Sequence, residues 1–148
     1  MCSSDLRPGI PTMAELFAAE GYRTAMFGKW HLGDSFPNLP HQKGFQEAVY
    51  HLGWGITSMA DLWENDYFDG RFRHNGTLQQ YKGYCTDVFF GQALAWMESV
   101  KGTKPFFCCL PTQRPACPAA GAARGREALR RREPFGVRGE REQGLTST

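Results

Sequence analysis

Lys29 and His31 stand two residues apart, with Gly28 before them and Gly33 after. In an extended chain, residues i and i+2 point to the same side, so this ammonium and imidazole can face one ligand. The ammonium brings a fixed charge with three donors, and the imidazole exchanges protons near neutral pH. Together they suit an anionic, tetrahedral group. Gly28 and Gly33 permit tight turns and a close backbone approach that a side chain would block. On spacing alone, a Lys and a His after a strand are more often solvated loop residues than ligands. The larger motif decides between the two.

The pair must be carried by the apolar run before it. Residues 22–27 read as a buried strand that ends at Gly28 and presents Lys29 and His31 beyond its last rung. Ligands of open α/β sheets sit just past such strand ends. A helix leads in: Thr12 is its N-cap, Glu15 completes a capping box, and Gly21 supplies the stop. Met13, Leu16 and Phe17 give this helix one apolar face. Residues 33–44 read as irregular, because Pro37 and Pro40 work against regular structure. His41 and His51 lack a second ligand at metal spacing and read as surface or packed histidines. Gly53-Trp54-Gly55 reads as a loop holding a packed aromatic. Residues 67–73 and 77–81 form a hairpin about Asn75-Gly76, and that turn accounts for the Asn75-Gly76-Thr77 sequon without a sugar. Thr86 or Asp87 caps a helix that runs to Val100, with Val88, Leu94, Trp96 and Met97 in the core. Residues 105–111 suit a strand buried on both faces of a parallel sheet. The sum is a layered α/β domain.

Composition bounds the alternatives. The 148 residues, 41% apolar and 22% charged, are enough for one domain with a core of its own. A net charge of +2 is too small to argue for nucleic acid or a membrane surface. No run approaches the roughly 18 apolar residues that a membrane helix needs. The first residues have neither the basic start nor the apolar core of a signal peptide. Cys2, Cys85, Cys108, Cys109 and Cys117 form no C-x-x-C pair and no metal-ligand spacing, and they fix no compartment. Every lysine precedes Pro105, whereas beyond Thr112 the basic residues are all arginine. Three segments follow: residues 1–6 as a translated linker scar, 7–112 as a partial domain, and 113–148 as an out-of-frame or disordered tail.

The run Gly21-Tyr22-Arg23-Thr24, then Gly28-Lys29-Trp30-His31-Leu32-Gly33, resembles the second signature of the sulfatase family. Lys43-Gly44-Phe45, Glu64-Asn65-Asp66-Tyr67-Phe68 and the stretch from Gly83 to Phe90 resemble further pieces, so the likeness covers about residues 7–112. It implies a fragment of an alkaline-phosphatase-like α/β layered sheet with flanking helices. It also implies hydrolysis of sulfate esters by a formylglycine, made from a Cys or Ser in a C/S-x-P-S/A-R motif. A divalent cation, usually calcium, accompanies that group, held by acidic and amide residues. Carried over, Lys29 binds a sulfate oxygen, and His31 hydrogen-bonds the formylglycine hydroxyl and steers its proton. The implied substrate is a sulfate-ester small molecule or glycan, with no nucleic-acid or membrane partner. Relatives are periplasmic, secreted or lysosomal, which leaves the location open.

The departures from that pattern are specific. No C/S-x-P-S/A-R motif occurs in the chain, and both groups of cation ligands are missing. This chain is therefore expected to be inactive. Relatives typically read Asn-Ala-Pro-His after the last strand, whereas Gln113-Arg114-Pro115-Ala116 puts an alanine at the histidine position. A shift of reading frame at codon 113 can restore the family residues, and would account for the arginine-rich tail. Two rival readings stand: a phosphonate or phosphodiester hydrolase of the same superfamily, and a non-catalytic anion-binding module.

Overall fold

Strand β1 (Arg23–Lys29) is buried from Thr24 to Gly28, so both its faces demand cover. The computed structural model describes residues 6, 7, 9–53, 55–58 and 61–112. The readings of residues 1–5, of Trp54 and of residues 113–148 lie outside these. β1 pairs in parallel with β2 (Glu47–His51) on one side and with β5 (Phe106–Cys109) on the other. The hairpin β3 (Arg71–His74) and β4 (Thr77–Gln80) adds two antiparallel strands beyond β2. Sheet order is β4-β3-β2-β1-β5.

Alternation along β1 divides the core in two. Ala25 and Phe27 join Val49, Phe72 and the buried face of helix α2 (Cys85–Val100), which supplies Cys85, Phe89 and Ala93. Met26 packs on the opposite face with Ala48, Tyr50 and Ala14 of helix α1 (Met13–Ala19). An α/β sheet with helices on both faces is the architecture that the sequence implies.

Helix α1 has the expected capping box: Glu15 N–H donates to Thr12 Oγ1 at 3.1 Å, and Thr12 N–H donates to Glu15 Oε2 at 2.6 Å. Its inner face differs from expectation. Ala14 is buried and Phe17 stacks on Phe107, but Met13 and Leu16 are 61% and 55% exposed. Helix α2 begins at Cys85 after Tyr84, without the Thr86 or Asp87 side-chain cap. Cys85, Phe89, Ala93 and Val100 are its buried residues, whereas Leu94 points outward. Cys85, Phe89 and Ala93 are spaced i, i+4 and Val100 follows two turns later on the same face, whereas Leu94 lies off it.

Three further differences concern the sheet. β1 runs two residues past Phe27, so Lys29 belongs to the strand itself. β2 was not legible as a strand. β5 pairs in parallel as expected but stands at the edge among the described residues, and none of its residues is fully buried. Residues 40–42 form a short 3-10 turn within the stretch expected to be irregular, with Pro40 at its first position, where the missing N–H costs nothing. The hairpin turns at Asn75-Gly76 as expected, with φ of 48° and 91°. Asn75 Oδ1 accepts from Ala48 N–H at 2.8 Å, which fastens the turn to β2. Leu6, the last residue of the supposed scar, packs on the α1-side core and donates its N–H to Leu32 O at 3.3 Å.

Candidate functional site

The carboxyl ends of β1 and β2 are built around Gly28. Its φ is +134°, and a Cβ there would lie 2.2 Å from Pro111 O. That close approach lets Lys29 N–H donate to Pro111 O at 2.9 Å, which ties β1 to the chain leaving β5. Trp30 N–H then donates to His51 O at 3.0 Å, and β1 ends. The next turn is held from below: Trp30, buried against Phe45, donates Nε1–H to Gly33 O (3.0 Å) and Asn38 O (2.9 Å). Gly33 is pressed on Asn38, whose Cβ stands 2.3 Å from where a Cβ of residue 33 would be. Gly53 N–H donates to Asp34 Oδ1 at 3.2 Å, joining the loops after β1 and β2. Thr24, fully buried, fixes the approach to β2 by donating to Gly44 O at 2.6 Å. The spacing of the run thus has a local physical cause at Gly28, Trp30 and Gly33.

Lys29 is half-buried and stands in register with His51 across the β1–β2 ladder. Its ammonium makes no ion pair or hydrogen bond among the described residues. His31, also half-buried, opens the following loop, and its ring likewise has no hydrogen bond among the described residues. Trp30 points to the α1 side, so the two chemistry-bearing residues flank its anchor. His41 is a packed histidine, with its Nδ1 3.3 Å from Tyr50 Oη.

His51, which reads from the sequence as a surface or packed histidine, is packed, on the strand β2 that the sequence did not reveal. It is 1% exposed and packs against Phe89, with ring centroids 6.1 Å apart. Nδ1–H donates to Leu52 O at 3.3 Å, which leaves Nε2 buried without a partner. Burial holds its pKa below the ordinary 6.5, with the Lys29 charge acting the same way and Leu52 O and Asp61 opposing.

The other candidate groups are poor nucleophiles or ligands. Burial pushes the Cys85 thiol up to about 11 and raises Cys108 and Cys109 as well. A protonated thiol is a weak nucleophile. Among the described residues, no three His, Cys, Asp or Glu side chains gather as a metal site. The described residues therefore offer no such ligand set for a divalent cation.

The sulfatase family profile matches residues 3–125, a span that includes this strand and its loop. The chain belongs to the sulfatase family. An N-acetylglucosamine-6-O-sulfatase of Bacteroides thetaiotaomicron is 34% identical over 95 residues, which cover 64% of this chain and 15% of that sulfatase. An arylsulfatase of Klebsiella aerogenes is 29% identical over 114 residues, covering 74% of this chain and 25% of its own length. The chain thus spans a quarter or less of these two sulfatases. Among solved structures, Ps i-CgsB in complex with k-i-k-neocarrahexaose superposes with a TM-score of 0.59 at 25% identity, over 71% of this chain and 26% of that one. A protein in complex with its substrate D-glucosamine-2-N,6-O-disulfate gives a TM-score of 0.55 at 26% identity, over 78% of this chain and 20% of the other. The sheet and its two flanking helices are accordingly part of the alkaline-phosphatase-like α/β fold of sulfatases.

Proposed function

We propose that this chain is the sulfate-holding segment of a sulfuric ester hydrolase that acts on sulfated glycans. The observation that carries the reading is Lys29. It is a half-buried ammonium at the carboxyl end of a parallel strand, without a carboxylate among the described residues to neutralise it. Such a charge is left for a ligand, and in a partly desolvated site it acts more strongly than in water. Lys29 holds a sulfate oxygen and offsets negative charge on the transferring group. His31 is the proton carrier beside the nucleophile's hydroxyl, a role suited to an imidazole at neutral pH. The glycan is supported by the N-acetylglucosamine sulfatase among the relatives and by the sulfated glucosamine bound to one structural neighbour.

The nucleophile and the divalent cation belong to parts of the sulfatase pattern that the described residues do not supply. The 148-residue chain is inactive by itself, since it contains no C/S-x-P-S/A-R motif.

Binding of a sulfated and an unsulfated sugar to the chain separates this reading from its rivals. D-Glucosamine-2-N,6-O-disulfate is expected to bind and glucosamine is not, and neither aryl sulfate nor the disulfate is expected to be hydrolysed with calcium added. Equal binding of both sugars contradicts the sulfate site. Calcium-dependent turnover contradicts the inactivity.

A further inference from the structure

His51 and Lys29 occupy facing positions at the last rung of the parallel β1–β2 ladder. In a parallel pair, residues in register project to the same face of the sheet. Packing of the imidazole on Phe89 identifies that face as the α2 side. Each side chain lacks what the other can give. Donation of Nδ1–H to Leu52 O leaves a lone pair on Nε2, which is buried and without a donor. The Lys29 ammonium has N–H groups and no acceptor among the described residues. A buried polar atom without a partner is costly in a fold, so it calls for a partner. The backbone already joins His51 to the residue after Lys29, through Trp30 N–H donating to His51 O.

We propose that His51 is the positioning residue of Lys29: its Nε2 accepts one N–H of the ammonium and leaves the remaining two for sulfate oxygens. This rests on the reading of Lys29 as the sulfate-holding group. Histidine suits the task because the Leu52 carbonyl fixes the tautomer that carries the acceptor. Lys29 enters the pair as a point charge on a long stem, which one acceptor can orient. His51 remains neutral throughout, and no proton is transferred. The groups around its ring are Lys29 and Asp61 as charges, the Leu52 carbonyl, and Phe89 of α2. Ser58 Oγ is a second buried atom without a partner, on the loop whose Ile56 packs in the same core, and it is the competing donor.

The test uses the full 148-residue chain with 15N-labelled histidine, and inorganic sulfate as the probe. His51 Nε2 is expected to resonate as an unprotonated nitrogen that accepts a hydrogen bond, and Lys29→Met is expected to shift it to the position of a free one. Sulfate affinity is expected to fall about tenfold in His51→Leu and to be largely retained in His51→Gln, whose amide oxygen keeps an acceptor. A ring signal indifferent to Lys29→Met, or one that moves with Ser58→Ala instead, overturns the proposal even if His51→Leu fails to fold. Undiminished sulfate affinity in a folded His51→Leu overturns it too. Absence of sulfate binding by the wild-type chain would refute the sulfate-holding role of Lys29, and the ring signal would still decide whether the two side chains pair.

Discussion

Gly28 is the residue on which the site's geometry turns. A side chain there meets Pro111 O at 2.2 Å, in a backbone conformation that L-residues rarely adopt. Gly28→Ala is expected to destabilise the fold by about 3 kcal/mol, read by chemical denaturation. A loss under about 1 kcal/mol would mean that the β5 exit loop moves aside freely. His51 carries a second prediction. Its folded pKa lies below the unfolded value of 6.5, so between the two the unfolded chain binds the extra proton. Its contribution is fully present above pH 6.5 and is lost as pH falls through the lower folded value. Burial lowers His41 in the same direction, so His51→Gln should remove only part of the acid sensitivity. An unchanged stability profile between neutral and mildly acid pH in His51→Gln would contradict this. Lys29 and His31 stood out through the family signature, since their spacing alone reads as a solvated loop. His51 was read as surface or packed, but its place facing Lys29 was not legible, because a lone histidine has no pattern until a strand gives it a face.

Elements with local causes were the ones the sequence revealed. The α1 capping box involves residues three apart, and the Asn75-Gly76 turn is set by backbone conformations that those residues tolerate. Thr12→Ala removes the cap and also the donation from Thr12 Oγ1 to Lys43 O at 2.8 Å. A loss of about 1–2 kcal/mol is expected by thermal or denaturant unfolding, and no loss would show that the helix end is held by packing alone. β2 had no such local cause. Its five residues are buried on both faces apart from Glu47, so the strand shows neither alternation nor a long apolar run. Tertiary pairing with β1 and β3 and the docked Asn75 turn make it a strand. The α1 face was misread for a related reason: Ala14, the smallest apolar residue there, lets the helix approach the sheet, and the larger Met13 and Leu16 turn away.

At the scale of the molecule, the sheet collects its chemistry at one end. β1, β2 and β5 run in parallel, so their carboxyl ends share an edge where Lys29, His31 and His51 stand. Exposed Met13, Leu16, Leu94 and Phe106 leave apolar surface on the helices and on β5, and the chain spans a quarter or less of the two named sulfatases. Among these groups Lys29 is the one proposed to hold sulfate. A titration of the 148-residue chain with inorganic sulfate, followed through its backbone amide signals, tests it most directly. Saturable shifts are expected at residues 28–33, lost in Lys29→Met and retained in Lys104→Met, which alters an exposed residue. Equal binding by the two variants, or shifts that centre elsewhere, would contradict the claim.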